Sequence, residues 1–490
     1  MNSKTSTNSK LETLLEIERE GVEHLMHRGI NVWPIIRSEL QFNVKRDESE
    51  QGNERVETNY TLFQKLKGRL KAYLKFRNLK KNILKKKWHQ SDILLFSADD
   101  TYYADKIEGK RYNRHLDPFY EKLLELKKSV SKLHMTALKE ISNKKNEAQF
   151  LILDAEISEW IWLDTEFSDT NLNEAITTIC SRLDVSADSV RRRTGSIIAL
   201  SKIVELILNK IQPKVIGIVC FYCNESFAII NAAKRLKIKT IEIQHGKQGE
   251  KHFCYSHNLT AKSQMSLMPD YFWNWGINSA RNINQHIANE GEQIKCIVGG
   301  NLWLALWKNK NNQEKEEKEN NLFFENLNRF EKRILIGTQP IDIGLFPDFV
   351  FDLIKERKDI FWGVRLHPMQ IERLDEFRSK LESIENVEIV QSTALPLYLL
   401  FNAFDIVITR WSSVALEAIL FNLTSVIIDE FGVESFHKEI KAGDIKIALN
   451  KQQLIEIIDN ESASDKPFKK ANYIEFNDHK IKEMLNKYFS

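Results

Sequence analysis

Short apolar runs alternate with longer amphipathic stretches through most of the chain. The runs DILLFS (92–97), FLILDA (150–155), VIGIVC (215–220), KTIEIQ (239–244), YFWNWG (271–276) and KCIVGG (295–300) predict strands, and stretches such as ESFAIINAAKRLK between them predict helices. Runs that are apolar throughout suit strands covered on both faces, so the pattern predicts a parallel sheet flanked by helices. The alternation restarts at RILIGT (333–338) and continues through FWGVRL (361–366), VEIVQ (387–391), DIVIT (405–409) and TSVIID (424–429), with helices between and after them. Separating the two halves, WKNKNNQEKEEKENN (307–321) is dense in charge and almost free of apolar residues, which reads as a linker or solvated insertion. At the front, Leu11, Leu14, Leu15, Val22 and Leu25 recur at helical spacing, with Gly29 expected to end the first helix.

A chain of 490 residues exceeds one ordinary core, and the 42% apolar content with ten tryptophans supports two. The predicted organisation is α/β: a helical and basic extension over 1–90, a Rossmann-like domain over 91–306 and a charged linker over 307–332. A second Rossmann-like domain with carboxyl-terminal helices over 333–490 completes it, and the two domains are expected to face a cleft. No window holds eighteen consecutive apolar residues, and the start MNSKTSTNSK lacks the apolar centre of a secretory signal, so a cytoplasmic protein is expected. Five cysteines cannot all pair, and Cys220 and Cys223, with no second such pair, read as packing rather than a zinc site.

The net charge of +3 hides an uneven distribution. Residues 65–87 hold eleven lysines and arginines and no acid, with Leu66, Leu70, Tyr73, Leu74, Ile83 and Leu84 interleaved. That composition fits a helix lying on an anionic membrane, or alternatively a solvated basic helix. No aromatic platform or zinc finger accompanies it, which argues against nucleic acid.

The candidate chemistry lies where predicted strands give way to helices, because ligands of doubly wound sheets bind beyond the carboxyl ends of the strands. RLHPMQ (365–370) and VITRWSSVALEA (407–418) both occupy such junctions. Ser412 and Ser413 offer hydroxyls and backbone N–H groups at a helix start, and the His367 imidazole can donate to a phosphate oxygen. Singly, the histidine–proline pair reads as a turn and the double serine as a cap; together they point to a phosphate. Glu417, one turn beyond Ser413, is placed to accept from ribose hydroxyls, and Arg365 and Arg410 flank the pair. No DxD carboxylate pair for magnesium is evident at these strand ends, so the reading calls for neither metal nor cofactor. Trp273 and Trp275 read as core.

Residues of roughly 330–430 resemble the nucleotide-binding domain of GT-B glycosyltransferases, where the Glu-Ala within SSVALEAILFNLTSVII is similar to the donor-binding helix. The histidine–proline and double-serine motifs resemble those of bacterial sialyl- and Kdo-transferases, which use CMP-sugars, and those of teichoic-acid glycerophosphotransferases, which use CDP-glycerol. KTIEIQHGKQGEKH (239–252) is similar to the HG segment of teichoic-acid polymerases and to a QHG segment of capsule and lipopolysaccharide biosynthesis proteins, although it lacks the threonine and proline that follow in the polymerases. That resemblance implies His245 as the base for the acceptor hydroxyl, with Gly246 and Gly249 allowing close approach of substrate. YFWNWG and KCIVGGNLWLAL also look like these families, which implies that Gly300 and Asn301 lie near the donor. Sialyltransferases use an aspartate base, for which Asp99 and Asp100 stand at the corresponding strand end and Asp154 is the rival; here Thr101 and Tyr102 follow in place of the family's glycine.

The expected function is therefore a glycosyltransferase passing a sugar from a nucleotide-activated donor, a CMP-sugar, to a growing surface polysaccharide or lipid-linked acceptor. The basic run would hold it at the inner face of the cell membrane. The alternatives are a CDP-alcohol polyol-phosphate transferase, a nucleotide-sugar 2-epimerase and a non-catalytic polysaccharide-assembly partner.

Overall fold

The structure is a computed structural model that describes residues 7–47, 62–97, 104–107, 110–136, 148–152, 169–258, 266–287, 293–307, 317–339, 346–381, 384–460, 473–475 and 477–490. Two parallel sheets organise it. The first runs, from edge to edge, Cys296–Val298, Tyr271–Asn274, Lys239–Ile243, Val215–Val219, Ile93–Ser97, Val130–Thr136 and Ala148–Ile152. The second runs Val387–Glu388, Ile360–Arg365, Lys332–Gly337, Ile406–Thr409, Thr424–Ile427 and Lys446–Ile447. Ile93–Ser97, Val215–Val219 and Ile406–Thr409 are buried at every residue, as uninterrupted apolar strands covered on both faces must be. The fold class is α/β, with two Rossmann-like domains.

In each sheet the chain starts in the middle, builds to one side, then returns to build the other. The reversal falls between Ile93–Ser97 and Val215–Val219 in the first sheet, and between Lys332–Gly337 and Ile406–Thr409 in the second. These switch points open crevices beyond the carboxyl ends of their strands. The two sheets turn those ends towards one another. The loop after Lys239–Ile243 meets the helices Glu430–Ser435 and His437–Lys441 that follow Thr424–Ile427. There Lys247 Nζ donates to the Ser435 carbonyl at 2.6 Å and pairs with Glu439 at 3.0 Å; Lys251 pairs with Glu434 at 2.9 Å, and Glu250 with His437 at 2.8 Å and with Lys438.

Several elements differ from the sequence reading. The first helix, Thr7–Glu20, stops at Gly21, whose φ of +100° suits glycine alone, and Gly29 (φ +83°) instead turns a small hairpin of Met26–His27 and Ile30–Asn31. This front segment is built into the first domain: Arg37, fully buried, pairs with Glu18 at 2.5 Å and donates from Nε to the Phe253 carbonyl at 2.7 Å. Burial alone would raise the Glu18 pKa, but Arg37, His257 and Trp33 together hold it down at about 2. The strand Val130–Thr136 was not expected. Its Lys132 is buried by pairing with Asp117 at 2.9 Å beneath the Tyr120 ring. VEIVQ holds a strand only at Val387–Glu388, because the Glu388 carboxylate accepts from the Gln391 and Ser392 amides at 2.8 and 2.7 Å and starts the helix Val390–Ala394. Inside the expected 307–332 linker, the helix Asn321–Leu327 buries Phe323 and Leu327 against the second domain. Among the described residues no helix is long and apolar enough to cross a membrane.

The last helix, Asp478–Tyr488, follows the second domain in sequence but packs on the first sheet. Ile481, Leu485 and Phe489 share a core with Ile241, Trp273 and Ile297, and the Phe489 ring lies 6.0 Å from both Phe119 and Trp273. Phe489→Ala should cost about 3–5 kcal/mol, the range for deleting a buried aromatic side chain, and the check is a lowered urea midpoint of the transition that unfolds the first domain.

Candidate functional site

The second sheet's crevice is lined by the ends of three neighbouring strands. Gly337 and Thr338 end the central strand, His367 follows the strand on one side, and Ser412 and Ser413 follow Thr409 on the other. His367 and the serines thus straddle one strand, roughly 10 Å apart at two inter-strand spacings, a span that one nucleotide phosphate region can bridge. Thr338 organises the turn before Pro368: its Oγ1 accepts from the His367 amide at 2.9 Å and donates to Gln370 at 2.5 Å. Across the gap, Gln339 Nε2 donates to Thr409 Oγ1 at 3.0 Å. These bonds fix the backbone of the turn; His367, Ser412 and Ser413 are all half-buried.

The helix after the serines, Val414–Ile419, is only six residues long, so its dipole is minor and the hydroxyls matter more. Ser413 Oγ donates to Glu417 Oε1 at 3.2 Å, and Ser412 Oγ accepts from the Val414 amide at 3.3 Å. Glu417 also accepts from the Tyr398 hydroxyl at 2.5 Å, and Tyr398 accepts from Asn301 Nδ2 at 3.2 Å. The carboxyl is buried, which pushes its pKa up, while Tyr398, Arg114, Ser413 and Arg365 act in the opposite direction. Tyr398 was not foreseen: it lies 19 residues before Glu417 on another helix, and only the fold joins them.

On the facing domain, His245 stands just beyond Lys239–Ile243. The Tyr222 hydroxyl lies 3.4 Å from its Nε2, and Glu242 Oε1 lies 3.8 Å from its Nδ1. Glu242 accepts from Tyr255 at 2.5 Å and from Gln248 at 2.9 Å, and Gln248 accepts in turn from Asn274 at 2.6 Å. Burial pushes the Glu242 pKa up to about 7, against the opposing pull of His245 and the two donors. The His115 ring meets His245 edge-on at 6.3 Å, and burial together with Arg114 and His245 holds the His115 pKa well below the ordinary imidazole value. An imidazole with a carboxyl group near one nitrogen, beyond hydrogen-bond distance, and a tyrosine hydroxyl near the other is a group able to take a proton from an alcohol. An added Cβ at Gly246 would meet open space, so the backbone beside the imidazole is accessible to a ligand.

The other sequence-predicted residues are already engaged. Arg365 donates to the carbonyls of Ser392 and Leu395 at 2.9 and 2.5 Å, tying its strand to the next helix. Arg410 binds Asp429 through two nitrogens at 3.1 and 2.8 Å and lies over Trp411. Gly300, with φ of +88°, leaves no room for a side chain, since a Cβ added there would lie 2.5 Å from the Glu475 carbonyl oxygen. Asn301 caps the helix Leu302–Trp307 through the Leu304 amide at 3.0 Å while reaching Tyr398, so it acts on the crevice through Tyr398 and Glu417. Asp99, Asp100 and Asp154 lie outside the described residues.

No protein-family model matches the chain, and no curated protein matches it. Among solved structures it is similar to the UDP-GlcNAc 2-epimerase of Methanocaldococcus jannaschii, with TM-score 0.48 and 16% identity over 81% of this chain and 98% of that one. It is similar also to the UDP-GlcNAc 2-epimerase of Neisseria meningitidis bound to UDP-GlcNAc (TM-score 0.46, 13% identity, 81% and 98% covered). The wall teichoic acid polymerase TagF is another such structure, at TM-score 0.43 and 11% identity over 88% of this chain and 94% of that one.

The raised Glu242 carboxyl carries a signature in stability. Its folded-state pKa of about 7 exceeds the ordinary 4.5, so the folded protein holds this proton more tightly than the unfolded chain does. The resulting stabilisation is complete below pH 4.5 and is lost as pH rises through 7. Glu242→Gln should remove this dependence: its urea midpoint, compared with wild type from pH 4.5 to 8, should gain on wild type across that window and then level off.

Proposed function

We propose that the protein is a GT-B glycosyltransferase that moves a sugar from a nucleotide-activated donor, a CMP-sugar such as Kdo or sialic acid, to a growing surface polysaccharide or lipid-linked acceptor. The observation that carries this reading is the placement of His367, Ser412, Ser413 and Glu417 around the second sheet's switch point, with His245 and Glu242 on the facing domain. His367 and the serine hydroxyls would hold the donor phosphate, and Glu417, oriented by Tyr398, would receive the ribose hydroxyls. His245 would take the proton of the acceptor hydroxyl as its oxygen bonds to the anomeric carbon. The bond from that carbon to the phosphate oxygen then breaks, and the nucleotide leaves with the electron pair. Asp99 is the rival base.

A thermal-shift series with CMP, CDP, UDP, GDP and dTDP tests the donor class, since a nucleotide that binds the folded form raises its melting temperature. The expected result is a clear rise with CMP that Ser413→Ala and His367→Ala diminish; no shift with any nucleotide overturns the reading. His245→Ala should lower turnover by about a hundredfold to ten-thousandfold, as for loss of a general base, whereas the same loss in Asp99→Asn with an active His245→Ala assigns the base to Asp99. The histidine–proline and double-serine motifs are shared in kind with glycerophosphotransferases, so product analysis decides the second reading: a new phosphodiester identifies a polyol-phosphate transferase.

The acceptor's location bears on the helix Leu62–Lys85. Leu70, Tyr73, Leu74 and Leu84 are exposed on it, at 62%, 59%, 49% and 48%, together with exposed Arg77, Lys80, Lys81 and Lys85, while Ile83 anchors it in the first domain. Exposed apolar side chains among cations are what an anionic lipid surface would cover, so this helix would keep the enzyme at the inner face of the cell membrane. The protein should sediment with vesicles containing phosphatidylserine and not with neutral ones. Leu70→Asp with Lys80→Glu and Lys81→Glu should abolish that binding without lowering the melting temperature.

A further inference from the structure

Arg114 lies in the turn between the strand Lys110–Asn113 and the helix Asp117–Glu125, a turn held at both ends. The Asn113 amide donates to Asp117 at 2.8 Å, and Asn113 Oδ1 accepts from the amides of His115 and Leu116 at 3.0 Å. Asp117 is itself locked by Lys132, so the turn belongs to the rigid body of the first domain. The neighbours of Arg114 touch opposite walls of the junction. Tyr112 stacks on Trp303 at 5.3 Å, and Trp303 packs on Tyr398, the residue that holds Glu417. His115 meets His245. Arg114 therefore stands between the candidate base and the candidate donor pocket.

Its side chain is half-buried, and its Nε, buried, has no hydrogen-bond partner among the described residues. Glu417 is within electrostatic reach, yet that carboxylate already accepts from Tyr398 and Ser413, and among the described residues no carboxylate forms an ion pair with Arg114. A guanidinium donor withdrawn from water with nothing to bond is costly unless an anion arrives to meet it. The fork of N–H groups matches a phosphate far better than any neutral group.

The geometry points to Arg114 as a phosphate ligand that the first domain contributes to the nucleotide, opposite His367, Ser412 and Ser413, so that the nucleotide bridges both domains. This rests on the reading of the second domain as the donor site. The phosphate of the nucleotide is favoured over an acidic group on the transferred sugar, because Tyr112 and Trp303 set the turn against Tyr398 and Glu417, where the nucleotide's own groups are placed.

The test is calorimetric titration of CMP and of cytidine into wild type, Arg114→Gln, Arg114→Lys and Ser413→Ala, each checked for an unchanged melting temperature without ligand. Arg114→Gln should weaken CMP by about tenfold to a hundredfold, the worth of one charged hydrogen bond, and leave cytidine unchanged. Arg114→Lys, which keeps the charge and loses the fork, should fall between. If Arg114→Gln binds CMP as wild type does while Ser413→Ala does not, Arg114 is no phosphate ligand and the donor site stands. If all variants bind CMP alike, the donor site falls and this assignment with it. Unchanged CMP affinity with loss only of the intact CMP-sugar also overturns the assignment, by moving the anion to the sugar.

Discussion

A carboxylate withdrawn from water must be given hydrogen-bond donors, and the donors of Glu417 connect both domains. Ser413 supplies one from the same helix and Tyr398 the other, while Tyr398 is set by Asn301 from the first domain's last turn. Leaving a buried carboxylate with a missing donor costs several times what an ordinary hydrogen bond contributes. The chain Asn301–Tyr398–Glu417–Ser413 therefore fixes more than one side chain. It ties the Ser413 hydroxyl to the turn that ends the first domain.

The other side of the junction repeats the theme with charge. The loop that carries His245 continues directly into Lys247, Glu250 and Lys251, which grip helices of the second domain. Lys247 is half-buried and sits over the Phe436 ring at 3.8 Å, a setting that salt screens less than an exposed pair. The candidate base and the domain contact thus share one short segment.

The architecture was largely legible because the sheet strands are short, apolar and uninterrupted. Where a strand carried polar residues, as in Ser131, Lys132 and His134 of Val130–Thr136, the pattern was silent: the partner that lets Lys132 be buried, Asp117, is distant in sequence and meets it only in the fold. VEIVQ misled for a local reason, since nothing in the alternation tells that Glu388 turns back to cap the next helix. At the candidate site, His367, Ser413, Glu417 and His245 were visible because strand ends advertise them. Tyr398, Glu242 and Arg114 were not, because they gain meaning only from neighbours supplied by other elements. Asn301, expected near the donor, bonds the Tyr398 hydroxyl and the Leu304 amide, a role that no pattern in the sequence announces.

The closing helix, Asp478–Tyr488, has a consequence for biosynthesis. The first sheet's strands have all been synthesised by Val298, yet Trp273, Ile241 and Ile297 lack part of their apolar cover until Ile481, Leu485 and Phe489 are made. The core under that face is thus completed only once Asp478–Tyr488 has been synthesised. Until then the nascent chain carries that apolar face uncovered, the kind of transiently exposed surface through which unfinished chains associate.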